Sequence, residues 1–204
     1  MKKLLDRIFI DGLTGMAHGL FATLIIGTII QQIGTYCGGN IGGLIFTLGK
    51  VAAGLTGAGI GAGVARKLDA GHLVIVSAAV VGMIGAFAGD VMSGDIVNDG
   101  SIVLSGPGEP LGAFVAAYIA IEIGILISGK TKLDIILTPL VCIGAGSAVG
   151  LLVGPPISGF MAWLGSLINW GTEQQPFVMG IVVSVLMGMI LTLPISSAAL
   201  GVIL

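Results

Sequence analysis

Residues 111–128 read LGAFVAAYIAIEIGILIS, eighteen positions that hold a single charge, Glu122. At ~1.5 Å of rise per residue such a run spans about 27 Å as a helix, close to the ~30 Å hydrocarbon core of a bilayer. The same texture continues in both directions. The spacing predicts spans over Leu13 to Ile33, Ile41 to Ala65, His72 to Gly89, Leu111 to Ser128, Leu133 to Val153 and Phe177 to Leu204. Between the last two, Ile157 to Trp170 is short and follows Pro155-Pro156, which predicts a re-entrant or interfacial segment. The expected fold class is therefore an all-α polytopic membrane protein with six to seven transmembrane or re-entrant helices. The basic start, with Lys2, Lys3 and Arg7, resembles a signal peptide, but its apolar run is too long and reads as a first span that stays.

Composition agrees with that reading. The 204 residues carry 8 Lys+Arg and 10 Asp+Glu, 9% charged against roughly 25% in soluble domains. The hydrophobic share is 55%, 36 residues are glycine, and the mean hydropathy is +1.13. Disorder needs the opposite composition, and no Gly-X-Y period is present. Eight basic residues at a pI near 5.5 cannot build a phosphate-neutralising face, which excludes nucleic acid as a partner. Cys37 and Cys142 lie in or beside apolar segments and form neither a disulfide framework nor a metal cluster pattern.

Orientation follows from the basic residues. A cytoplasmic N-terminus places Lys2, Lys3, Arg7, Arg66, Lys67, Lys130 and Lys132 on one side, and leaves Asp90 to Pro110 outside with acidic residues only. Glycines recur at helical spacing: Gly54, Gly57 and Gly61; Gly82, Gly85 and Gly89; Gly146, Gly150 and Gly154. These are small-xxx-small seams, suited to close helix packing.

Two motif matches carry no chemistry. Residues 124–131, GILISGKT, fit the phosphate-loop pattern, but the filler is an apolar helix rather than a loop between strand and helix. Asp95, Asp99 and Gly100 suggest a calcium loop, yet Val97 and Gly106 stand where oxygen ligands belong. No metal and no cofactor is expected.

The chemically informative residues are few. Lys50 and Glu122 are the formal charges deep inside the predicted spans, roughly 13 and 16 Å below one edge by residue count. Each costs at least ~2.5 kcal/mol unless it faces protein or water, so a pair is expected, either a solute-binding or gating pair or a structural one. On the first span Thr14, His18, Thr28 and Gln32 share one face, with Gln31 and Thr35 extending its polar end. That face serves either as interhelical glue or as a solute contact. Pro139 and Pro194 are expected to kink or break their helices, and Ser196 and Ser197 then supply hydroxyls at a candidate re-entrant tip. The candidate solute-binding set is thus Lys50, Glu122, Gln31, Gln32, His18, Ser196 and Ser197; catalytic residues are expected to be none.

Phe9 to Ala17 leading into Leu20 to Gly34, the glycine-rich second span, and Thr192-Leu193-Pro194-Ile195-Ser196-Ser197-Ala198-Ala199 together resemble EIIC-type membrane proteins of the phosphotransferase system. The likeness is to the branch that includes perfringolysin O regulator-like proteins. It implies that residues 1–204 are one EIIC-like transmembrane domain, the N-terminal part of a longer chain. It further implies a multi-pass permease component of the cytoplasmic membrane, a homodimer, that binds and translocates a sugar or small polar solute. Phosphorylation would be done by separate soluble phosphotransferase subunits, so the chain itself is no enzyme. The alternative reading is a membrane-embedded regulator or sensor without transport activity.

Overall fold

A computed structural model describes residues 6–98, 101–104, 106–130 and 132–172, with a few positions between 179 and 188. Pro194, Ser196 and Ser197, and most of the span expected at Phe177 to Leu204, lie outside the described residues.

Helix α1 runs from Arg7 to Cys37, 31 residues, interrupted by widened π-type turns at Arg7–Gly12 and Phe21–Ile25. Gly38 and Gly39, both at φ near +60°, reverse the chain, a conformation side chains with a Cβ disfavour. The chain returns as α2 (Gly39–Gly54) and α3 (Thr56–Lys67), two helices bent by 51° at Leu55. Then come α4 (His72–Ala86), short α5 (Ala88–Ser93), a two-residue antiparallel ladder of β1 (Val97–Asn98) and β2 (Ser101–Ile102), α6 (Pro110–Ile127) and α7 (Asp134–Thr172).

Among the described residues three helices, α1, α6 and α7, are long and apolar enough to cross a membrane, and a fourth crossing results if α2 and α3 count as one broken span. At 15 residues α4 is shorter than a full span.

Helix α7 corrects one expectation. Pro155-Pro156 was expected to set Ile157 to Trp170 apart as a separate segment; instead one helix of 39 residues runs through both prolines, with Pro139 inside it as well. Each proline removes only the bond to the carbonyl four residues earlier, on Ile135, Leu151 and Leu152. Ending the helix would strip partners from a full turn on each side, which an apolar medium penalises more.

Glycine determines how closely the helices approach. In the antiparallel pairing of α1 with α2 and α3, a Cβ at Gly15 would lie 2.6 Å from the Val64 Cα, and one at Gly19 would enter the backbone of Gly59. Further along, Gly27 abuts Ala53 and Gly49, and Gly34 abuts Phe46 and Gly42. Helix α3 meets α4 through Gly57 and Gly61 against Gly82 and Ala78, while Gly54 faces open space. Helix α7 meets Ala120, Ala116 and Ala88 through Gly146, Gly150 and Gly154.

The core lies where α1, α3, α4 and α6 converge, around Met16, Leu20, Ile60, Val64, Val74 and Ile121. By contrast Ile29, Ile33, Tyr36, Ile41, Leu44 and Leu48, on the second half of α1 and on α2, are exposed. Apolar surface of that extent needs lipid or protein cover.

Candidate functional site

Charge collects at the end of the bundle where α1 begins. Arg7 Nε donates to Glu122 Oε1 at 2.8 Å, joining the start of α1 to the last part of α6. One turn along α1, the Asp11 carboxylate stands 3.8 Å from the Lys67 ammonium at the end of α3. Arg66 pairs with Asp69 at 3.3 Å in the turn that follows. Asp69 takes a positive φ of 53°, a conformation Asp tolerates better than most residues. Asp6, Arg7, Asp11, Lys67, Leu68 and Asp69 line a cleft of about 360 Å³. Both partners of the Arg7–Glu122 pair keep more than a third of their side-chain surface exposed, so the pair meets water and forms a modest tie.

This corrects the expected partnership of Lys50 with Glu122. Lys50 is exposed on α2 and makes no ion pair among the described residues. Its neighbour Gly49 packs against Gly27 and Gln31, about 20 residues along α1 from Arg7, or roughly 30 Å of rise. The residue count placed both charges at one depth by measuring from the top of each span. The tops are not level: from the shared Arg7 end, α1 continues for 31 residues while α6 has only 18 in all.

The polar face of α1 also falls differently from the glue expectation. His18 and Gln32 are exposed, and Thr14 and His18 line a surface groove of about 550 Å³ with Phe9, Ile10, Leu13 and Phe21. Thr14, Thr28 and Thr35 donate to the carbonyls of Ile10, Leu24 and Gln31, four residues back on their own helix, and so need no neighbour. Gln31 Nε2 reaches the Gly27 carbonyl at 3.4 Å. The inward face of α1 is instead the one with Gly15, Gly19, Gly27 and Gly34, because backbone contact there excludes any other rotation.

At the opposite end of α6, Glu109 caps the helix, accepting from the Leu111 N–H at 3.3 Å, while its own N–H donates to the Ala86 carbonyl at 2.7 Å. Gly108, at φ +69°, allows this approach: a Cβ there would sit 2.8 Å from the Ala86 carbonyl oxygen. Glu109, Asp90 and Ser158 line a cleft of about 270 Å³ with Ala86, Gly89 and Met161. Burial pushes the Glu109 carboxyl above its ordinary value of 4.5, against the opposing pull of the Leu111 N–H.

The glycine-lysine motif falls as the sequence implies, Gly124 to Ile127 inside α6 and Gly129 in a turn at φ +77°. Asp99 and Gly100 lie outside the described residues, while the Asp95 carboxylate accepts from the Ser93 hydroxyl at 2.6 Å. Sequence reasoning treated Arg7 and Lys67 as topology markers only and missed their pairing with Glu122 and Asp11. The signal available was the excess of charge at the ends of spans one, two and four.

Comparison with known proteins gives one family: residues 10–204 match Phosphotransferase system, EIIC. Neither curated proteins nor solved structures give a significant match to the chain.

Proposed function

The chain belongs to the phosphotransferase-system EIIC family, and from that premise we propose that it binds a sugar or another small polar solute and carries it across the cytoplasmic membrane. It is a membrane component of a system whose other subunits act with it. In this reading the soluble subunits perform the phosphoryl chemistry, the N-terminus is cytoplasmic, six to seven segments cross or enter the bilayer, and the functional unit is a homodimer.

The observation that supports a solute path beyond family membership is the set of polar side chains left uncommitted on α1 and α2. Lys50 and Gln32 are exposed in helices that are otherwise apolar, and neither has a side-chain partner among the described residues. A lysine at membrane depth costs at least ~2.5 kcal/mol if it meets only lipid, so these positions favour water, solute or a second subunit. Sugars are bound through hydroxyls, for which glutamine offers both donors and an acceptor. Gln31, Gln32, Lys50 and His18, with Ser196 and Ser197 of the undescribed part, are the proposed solute contacts, whereas Glu122 is held by Arg7.

The test is uptake of a panel of radiolabelled sugars by cells expressing the full-length protein with its soluble partners. Uptake of one class, lowered at least tenfold by Gln32→Ala or Lys50→Met at unchanged membrane abundance, is the expected result. Absence of uptake for the whole panel would overturn the transport reading.

A further inference from the structure

We propose that the second half of the α1–α2 hairpin, Ile26 to Gly54, is a rigid arm that swings on a hinge formed by Thr23 and Leu55. The register of the glycine seam makes the argument. Gly15 packs against Gly63 and Val64, and Gly19 against Gly59 and Ile60. Carrying that antiparallel register one turn further sets Thr23 opposite Leu55. Thr23 lies in the π-type turn Phe21–Ile25 of α1, and Leu55 is where the returning strand of the hairpin bends by 51°. Both helices therefore lose their regular ladder at the same level. Widened turns and breaks are among the few causes of sharp helix bending, and two facing each other permit a joint bend that one alone would resist.

Two backbone carbonyls at this level are held by hydroxyls only three or four residues away in sequence. The Thr23 hydroxyl donates to the Gly19 carbonyl at 2.7 Å, and the Thr56 hydroxyl to the Ala53 carbonyl at 2.6 Å. The first lies on the body side of the hinge and is untouched by a swing of the arm, while the second spans the Leu55 bend over three residues and caps a carbonyl that the break would otherwise leave open where water is scarce. On either side the packing is tight. Above, Gly27 and Gly34 hold α1 to α2 at backbone contact; below, Met16, Leu20, Ile60 and Val64 are buried against α4 and α6. Among the described residues the arm packs chiefly on itself, and its outward residues are exposed, Tyr36 by 88% and Ile41 by 72%. A stiff lever joined to a stiff body at one irregular level is the geometry of hinge motion.

Spin-label distance measurements in nanodiscs test this, with the labelled full-length protein diluted in unlabelled protein to suppress distances between copies. Exposed Cys37 at the arm tip carries one label, Cys142→Ser removes the buried native thiol, and Leu126→Cys on the body carries the second. A body reference pair uses Leu126→Cys with Met92→Cys in a Cys37→Ser, Cys142→Ser background. The expected arm-to-body distribution is bimodal or at least about twofold broader than the reference, and Gly54→Ala, whose added methyl meets nothing, narrows it. An arm-to-body distribution as narrow as the reference would overturn the hinge. Equal breadth in both pairs would overturn it too, since the looseness would then not be local. Sugar uptake does not enter this readout, so the hinge and the transport reading stand or fall separately.

Discussion

Arg7 donates to Glu122 at 2.8 Å across 115 positions of sequence. The pair ties the first turn of the first helix to the end of α6, and a double-mutant cycle measures the tie. Arg7→Gln and Glu122→Gln should each lower thermal stability in detergent, and together by less than their sum, with a coupling of about 0.5–1 kcal/mol for a half-exposed pair. Lys50→Met combined with Glu122→Gln should be additive. Coupling between Lys50 and Glu122 in place of Arg7 would contradict the described pairing.

Glycine contacts divide the molecule into positions that refuse a methyl and positions that accept one. Gly19→Ala and Gly61→Ala place a Cβ into the backbone of Gly59 and Ala78, and each should destabilise by roughly 1–3 kcal/mol. Gly144→Ala meets nothing within 4 Å on α7 and should be neutral or stabilising by up to about 1 kcal/mol through helix propensity. Melting temperatures of the three variants in one detergent rank them; equal effects would remove the seam as the cause.

Glu109 makes stability depend on pH. Its carboxyl is raised by burial, so the folded state holds the proton more tightly than the unfolded chain. The stabilising contribution is complete below 4.5 and is lost as pH rises through the folded value. Glu109→Gln keeps an oxygen for the Leu111 N–H and carries no charge, so it should flatten that decline. Its melting temperature should gain on wild type at pH 7 and match it near pH 4. A constant difference across that range would show that another group titrates.

Cysteine accessibility reports both packing and sidedness. Cys37 is exposed and Cys142 buried. An impermeant maleimide should label wild type and Cys142→Ser alike, and Cys37→Ser hardly at all. With a cytoplasmic N-terminus, Cys37 lies at the outer end of the first hairpin, so intact cells should label as fully as opened ones. Labelling only after opening the cells would reverse the proposed orientation.

Much of the helix inventory was legible from hydropathy, because eighteen apolar residues with one charge leave few options besides a buried or membrane helix. Leu111 to Ser128 matches α6 within a residue at each end. Two readings along the chain failed for a shared reason. Pro155-Pro156 reads as a stop when local bonds alone are counted, yet α7 passes through it. The polar face of α1 reads as the packed face when side chains alone are weighed, yet backbone contact at Gly15, Gly19, Gly27 and Gly34 set the rotation.

By itself the sequence determined the solvent and the helical class: 9% charge and 55% hydrophobic residues require an apolar medium, and an apolar medium requires closed backbone hydrogen bonding. Only the tertiary structure decided which charges meet. Depth along one helix is a local count, but pairing depends on where neighbouring helices start relative to one another, and α1 extends well beyond the start of α6. That offset gave Glu122 to Arg7 and left Lys50 exposed on α2.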